Sequence, residues 1–133
     1  AAPTKGFVME FIHAPKACAS VGPYSHCVKA GSTYYLCGQV PFHPVTGEVV
    51  GNGMKEQAVQ TLANMKAVLE AAGLAVTDIA KTTVFVTNMD DFAAFKEVYA
   101  AFMGEHRPAR VCVEVSNIAH GCLLEMDAIC FKE

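Results

Sequence analysis

Residues 54–72, MKEQAVQTLANMKAVLEAA, mark the point at which the chain changes from short extended runs to a helical period. Apolar side chains recur there at steps of three and four, with polar ones between them, which is the pattern of an amphipathic helix. The apolar positions are Met54, Ala58, Leu62, Met65, Leu69 and Ala72. Gly73 follows as the expected C-terminal cap. The stretch predicts a helix that lays one apolar face on a sheet.

Upstream of this helix, the chain predicts short antiparallel strands. Residues 7–12 form one candidate strand, and residues 27–30 and 33–40 form two more on either side of Gly31-Ser32, a plausible two-residue hairpin loop. After the turn Pro44-Val45-Thr46-Gly47, residues 48–50 predict a further short strand.

Downstream, residues 79–87 are rich in β-branched side chains and predict a central strand. Asn88, Asp90 and Asp91 are N-cap candidates for a second helix, which we expect to run to about Met103.

Two strands, residues 109–115 and 122–131, complete the predicted order βββαβαββ. We therefore predict an α+β fold, a single mixed sheet with two helices packed on one face. The 133 residues suffice for one domain, residues 1–133, with residues 1–6 a flexible terminus.

Composition excludes several classes of function. The net charge is -3 and the basic residues are scattered, which argues against nucleic acid as a partner. No apolar run reaches the roughly 20 residues that a membrane-spanning helix needs. The hydrophobic content of 53% against 17% charged residues makes a buried subunit interface plausible.

The cysteines and histidines predict neither disulfides nor a metal site. Six cysteines lack CxxC spacing, and a chain with a core of its own does not need disulfides, so we expect free thiols in the cytoplasm or an organelle matrix. Five histidines show no HxH or HxxxH spacing.

Ionisable residues in the last two strands indicate where chemistry could occur. Alternation places Arg110, Cys112 and Glu114 on one face of their strand, while Glu125 and Asp127 share a face of the last strand. If the two strands formed a direct hairpin with residue 115 opposite residue 122, Cys112 would lie opposite Glu125 and Arg110 close by. The alternative is a structural ion pair between Arg110 and Glu125. However, charges in strands this apolar are costly unless they have a partner or a task.

Five segments, in order along the chain, resemble the reactive intermediate deaminase A family (RidA, also called YjgF). They are Gly22-Pro23-Tyr24-Ser25, Cys37-Gly38-Gln39-Val40-Pro41, residues 64–73 (NMKAVLEAAG), residues 81–87 (KTTVFVT) and residues 107–115 (RPARVCVEV).

The resemblance implies a chorismate-mutase-like α+β subunit that forms a homotrimer, with its sheets in a central barrel and a site in each intersubunit cleft. It implies hydrolysis of reactive enamines and imines (2-aminoacrylate, 2-iminopropanoate and 2-iminobutanoate) to 2-oxo acids and ammonia. No cofactor and no metal are expected, and the partners are small imino acids and other copies of the chain.

The resemblance also assigns roles to residues. Arg110 matches the arginine that grips the substrate carboxylate, which suits a planar bidentate donor. Glu125 matches the carboxylate that holds the attacking water as a general base. Cys112 matches a cysteine that lines the pocket, and we expect its backbone to help position the water without covalent catalysis. The alternative is that its side chain only packs. Tyr24 matches a tyrosine that reaches the pocket from the neighbouring subunit. The alternative is that its ring only packs against the protein. Gly38 matches a position where the backbone approaches the ligand closely. The alternative is that this glycine marks a bulge in the strand.

Two positions depart from the family pattern. Asp90 stands where some members carry an asparagine that contacts the substrate, and we expect helix capping from it instead. His26 stands where glutamine is familiar, and we expect it to sit on the strand rather than to modulate the pocket.

Two other functions compete with the deaminase. One is a trimer that binds small ligands or protects proteins without turnover, since related folds can keep a cleft and lose its chemistry. The other is a ribonuclease or translation inhibitor, against which the acidic balance argues.

Overall fold

The computed structural model describes residues 8–20 and 22–133. The expected flexible terminus, residues 1–6, lies outside the described residues, as does the first residue of the predicted strand 7–12. The strands are β1 (Met9–Ile12), β2 (Cys27–Ala30), β3 (Thr33–Gln39), β4 (Ile79–Val86), β5 (Ala109–Glu114) and β6 (Leu124–Phe131). The helices are α1 (Met54–Ala71) and α2 (Phe92–Met103), and short 3-10 turns cover Val76–Asp78, Met89–Asp91 and Ala119–Gly121.

The six strands form one mixed sheet in the order β1-β2-β3-β6-β4-β5. All neighbours are antiparallel except β4 and β5, which run parallel and are joined through α2. A parallel pair needs a crossover connection, and α2 supplies it. The α+β fold class with two helices on one mixed sheet is confirmed.

The direct hairpin considered for the strands of residues 109–115 and 122–131 is wrong. β6 lies between β3 and β4, and β5 is at the edge of the sheet, where its only described strand partner is β4. Cys112 therefore pairs with Val84 and not with Glu125. Proximity in sequence favoured the hairpin, whereas the crossover through α2 brings β5 to the far side of β4.

Local predictions for the first half of the chain are largely confirmed. The hairpin of β2 and β3 turns at Gly31-Ser32, with Ala30 opposite Thr33. Helix α1 begins at Met54 and is followed by Gly73 at φ +73°, the left-handed cap conformation that glycine adopts without strain. The predicted strand over residues 48–50 is reduced to one isolated bridge, Phe42 to Val49.

The N-cap before α2 comes from Asn88, whose side chain accepts a hydrogen bond from the Asp90 backbone N–H at 2.9 Å. Asp91 makes no side-chain cap, and Asp90 lies inside the 3-10 turn. The capping role expected of Asp90 is therefore wrong, and Asn88 performs it.

Both helices cover the same face of the sheet. Alternate residues of β6, namely Leu124, Met126, Ala128 and Cys130, are at most 1% exposed beneath them. The opposite face carries Glu125 and Asp127 together with apolar side chains that no described element covers, including Phe11, Tyr35, Val111 and Val113. Within the described residues, no helix has the length and apolar character needed to cross a bilayer.

Candidate active site

The five predicted site residues fall into two groups that lie apart in one subunit. Glu125, Gly38 and Tyr24 line a shared cavity of about 390 Å³. Arg110 and Cys112 lie on β5, on the face that carries the helices.

Arg110 is held by aromatic rings of α2. Its guanidinium carbon lies 5.1 Å from the centre of the Phe92 ring and 5.2 Å from that of Tyr99, within the range of cation–π attraction. The hydroxyls of Tyr99 and Thr82 form a 2.8 Å hydrogen bond, and Thr82 is the β4 residue that pairs with Arg110 of β5. The rings thus orient an exposed guanidinium toward the edge of the sheet.

A groove of about 360 Å³ adjoins this guanidinium. Lys96, His106 and Arg107 line it together with Arg110. His106 is tied to the Ile79 carbonyl by its Nε2 at 2.7 Å, and Arg107 donates to the Gly104 and His106 carbonyls. The edge that carries Arg110 is consequently cationic.

Cys112 is half-buried beside Arg110. Burial raises the pKa of its thiol above the ordinary value, and the positive charge of Arg110 lowers it by a smaller amount. A thiol with a raised pKa is mostly protonated at neutral pH, and the thiolate is the nucleophile. Cys112 is therefore poorly suited to covalent catalysis.

Glu125 is the carboxylate of the cavity. Burial raises its pKa above the usual value for glutamate, and the charge of Asp127 on the same face raises it further. The structure gives it no ion pair among the described residues. A half-buried carboxylate of raised pKa is a suitable general base for a bound water.

Gly38 lies directly against the Glu125 side chain. A Cβ at this position would overlap Oε2 of Glu125 and would lie 3.0 Å from its Cδ. The register of β3 on β6 also shifts between Leu36 and Gln39, so that Gly38 lies in a bulge. Both interpretations of Gly38, the close approach and the bulge, apply at once.

Tyr24 and Cys37 line the cavity beside Gly38. The Tyr24 side chain is 50% exposed. Burial raises the pKa of the Cys37 thiol, which accepts a hydrogen bond from Gln39 Nε2 at 3.1 Å. This thiol was not singled out by the sequence, although it lies in the segment Cys37-Gly38-Gln39-Val40-Pro41.

His26 does not sit on a strand, as we expected, but immediately before β2, where it is 2% exposed. Its Nδ1 accepts from the Ala14 N–H at 2.8 Å, so that Nε2 carries the proton and donates to the Cys18 carbonyl at 2.8 Å. The ring therefore joins the segment after β1 to the segment that carries Tyr24.

Phe42 and His120 also line the cavity, and no pattern in the sequence pointed to either of them. Asn64 of α1 fixes the Phe42 segment by donating to the carbonyls of Val40 and Phe42, each at 2.9 Å. A polar residue on the buried face of α1 was the one sequence feature that could have indicated this anchor.

Comparison with known proteins places the site in a family. The family model described as Endoribonuclease L-PSP matches residues 13–132. The chain belongs to the Endoribonuclease L-PSP (RidA/YjgF) family. A RutC family protein of Pyrococcus horikoshii is 47% identical over 124 residues, which cover 93% of this chain and 98% of the relative.

Two relatives from Escherichia coli carry more specific descriptions. The 2-iminobutanoate/2-iminopropanoate deaminase of strain K12 is 45% identical over 117 residues, covering 86% of this chain and 91% of the relative. The crystal structure of TdcF with bound serine superposes with a TM-score of 0.88 at 40% identity, covering 93% of this chain and 99% of TdcF.

Proposed function

We propose that this chain is a hydrolytic deaminase of reactive enamines and imines derived from amino acids. The observation that carries the proposal is the separation of the site residues into a carboxylate cavity (Tyr24, Gly38 and Glu125) and a cationic edge (Arg110 and Cys112). The two groups together supply what the hydrolysis of a 2-imino acid requires, namely a clamp for its carboxylate and a base for water.

The proposed site is completed between two subunits. Arg110 and Glu125 lie on opposite faces of the sheet in one chain, so one substrate reaches both only if they come from different copies. The uncovered apolar sheet face supports such an assembly, because exposed apolar patches on this scale usually mark an interface. We propose a homotrimer whose uncovered sheet faces meet in a central barrel.

In the proposed reaction, Arg110 of one subunit binds the substrate carboxylate with two parallel hydrogen bonds. Glu125 of the adjacent subunit takes a proton from water as its oxygen bonds to the imine carbon. Glu125 returns that proton to the imine nitrogen, which gives a carbinolamine. The hydroxyl of the carbinolamine then becomes a carbonyl as its proton passes through Glu125 to the nitrogen, so that the carbon–nitrogen bond breaks and ammonia and a 2-oxo acid are released. Tyr24 and the backbone at Gly38 and Cys112 enclose the reacting atoms, and no step requires a cofactor.

Two relatives support the substrate class. One E. coli relative is named for the deamination of 2-iminobutanoate and 2-iminopropanoate, and the TdcF structure contains serine, a small amino acid. The six free thiols support a reducing compartment, the cytoplasm or an organelle matrix.

The family description also names an endoribonuclease, and the groove with Lys96, Arg107 and Arg110 is the feature of this chain that favours it. Three cations suffice for one or two phosphates, but a net charge of -3 gives RNA no continuous basic track. We therefore propose deamination as the function, and the experiment also tests RNA cleavage as the competing activity.

The deciding experiment generates imines from alanine and 2-aminobutyrate with an amino-acid oxidase and follows the release of 2-oxo acid and ammonia. We expect added protein to speed release severalfold or more above spontaneous hydrolysis. Unlabelled RNA incubated with the same preparation should stay intact. Binding of a 2-oxo acid without any rate increase would instead indicate a ligand-binding trimer.

A further inference from the structure

His120 adopts a backbone conformation that non-glycine residues rarely occupy. Its φ is 55° and its ψ is 28°, and it is the only described non-glycine residue with a positive φ. Residues held in this way tend to lie at functional sites, where the surrounding structure maintains the strain. The turn is held by two hydrogen bonds, from Gly121 N–H to the Ile118 carbonyl and from Cys122 N–H to the Ala119 carbonyl.

The strained backbone directs the His120 ring onto Phe42. The two ring centres are 5.4 Å apart with an angle of 67° between the planes, an edge-to-face arrangement. Phe42 is itself fixed, because Asn64 binds its carbonyl. The pair is thus a rigid aromatic wall made from two loops that are far apart in sequence.

This aromatic wall borders the same cavity as Glu125. A 2-imino acid has three parts to be bound: its carboxylate, its imine carbon and its side chain. In the function proposed above, on which this inference rests, Arg110 of the adjacent subunit holds the first and the Glu125-bound water attacks the second. Gly38 lies directly against Glu125 and leaves no room between them, whereas the aromatic wall offers an apolar surface to the substrate side chain.

We propose that His120 is a specificity-determining residue, on whose ring, together with that of Phe42, the side chain of the imino acid packs. The cavity is otherwise lined on this side by Val40 and Ala119, which are apolar. An apolar wall with two rings stabilises larger apolar or aromatic side chains more than a methyl group. Imines from phenylalanine or leucine are therefore the substrates that depend most on His120.

The test compares two imines on one set of variants. An amino-acid oxidase generates the imines of alanine and phenylalanine, and kcat/KM for each is measured for the wild type, His120→Asn and His43→Asn. Asparagine tolerates the left-handed conformation and removes the ring. We expect His120→Asn to lower the phenylalanine-to-alanine ratio of kcat/KM about fivefold.

The control and a second variant keep the outcome decisive. His43 accepts turn hydrogen bonds from Val45 and Thr46 and does not line the cavity, so His43→Asn should leave the ratio unchanged. If His120→Asn fails to fold, His120→Gly replaces it, since glycine adopts φ 55° without strain. An unchanged ratio in a folded, active His120 variant overturns this inference alone, whereas a wild type that accelerates neither imine overturns the proposed function and this inference with it.

Discussion

Arg110 and Glu125 project from opposite faces of the same sheet, and strand β4 separates the strands that carry them. Arg110 pairs with Thr82 and Glu125 pairs with Phe85, and these two β4 residues point to opposite faces because they are an odd number of positions apart. A site that uses both side chains must therefore combine two copies of the chain.

Mixing two variants that each lack one of these side chains tests this combination. Arg110→Ala keeps Glu125, and Glu125→Gln keeps Arg110, so a mixed ring contains interfaces with both groups intact. After co-refolding at a 1:1 ratio, about one interface in four is complete, and we expect about a quarter of the wild-type deaminase rate. The double variant refolded with itself should stay inactive. Two single variants that never recover activity on mixing would place both residues in one chain's site.

Arg110→Ala should abolish the carboxylate clamp without unfolding the subunit, because the side chain is exposed at the sheet edge. A hydrogen bond to a charged group is worth about 1.5 to 3 kcal/mol, so we expect kcat/KM to fall roughly 10- to 150-fold. Arg107→Ala is the matched control, since the hydrogen bonds that Arg107 donates to other described residues go to the backbone carbonyls of Gly104 and His106. An equal loss in both variants would indicate a diffuse electrostatic effect.

The pH dependence should follow Glu125. Burial and the charge of Asp127 raise its pKa above 4.5, and its protonated form cannot accept a proton from water. The rate kcat/KM should therefore decline as pH falls through this raised pKa. Asp127→Asn removes the second cause, so we expect the acidic limb of the profile to move to lower pH. A limb that stays in place would mean that Asp127 does not act on the base.

The same carboxylate has a predictable effect on stability. Because the pKa of Glu125 is raised in the folded state, folding favours the protonated carboxyl. Protonation of Glu125 therefore contributes stability that is lost as pH rises through that pKa. The Glu125→Gln variant should thus be more stable than the wild type at pH 7, but not below about pH 4. Denaturant unfolding at the two pH values measures the difference. Equal differences at both pH values would exclude the charge as their cause.

Gly38→Ala should disable the site by displacing the Glu125 carboxylate, which the new Cβ would overlap. We expect a loss of kcat of about tenfold or more, with far-UV circular dichroism unchanged. Gly53→Ala serves as the control, because the nearest atom to a Cβ there is Glu56 Oε1 at 4.0 Å. Full activity in Gly38→Ala would show that Glu125 can be moved without consequence.

Assembly can be tested on the uncovered sheet face. Val113 is 41% exposed in the subunit, and Val113→Asp would place a charge in the proposed barrel, where desolvation is costly. Analytical ultracentrifugation should show trimers for the wild type and smaller species for this variant. Val45→Asp, on a loop residue that is 86% exposed, should remain trimeric. A trimeric Val113→Asp would assign the interface to another surface.

Local periodicity predicted most of the elements but not all of the neighbours. The steps of three and four in α1 and the alternation in β6 each follow from one stretch of chain, and the buried residues Leu62, Met65 and Leu124 confirm them. Alternation also placed Arg110 and Cys112 on one face correctly. It fixes the face of a strand, however, and not its partner, so the register of β5 against β6 was chosen by proximity and was wrong.

The order strand, helix, strand over residues 79–114 contained the missing information. Strands joined by a helix of this length usually run parallel and side by side, as β4 and β5 do. The Phe42 and His120 pair could not be found in this way, because its contact combines a left-handed residue with a loop that Asn64 holds from a separate segment.

The position of β6 affects how a newly made chain can fold. This strand is the last in the described sequence, yet it joins β3 to β4 and so connects the hairpin half of the sheet to the crossover half. Until residues 124–131 have left the ribosome, no strand joins the two halves, and α1 lacks β6, one of the strands on which it packs. A chain that ended before Leu124 would lack both Glu125, the proposed general base, and the strand that joins the two halves of the sheet.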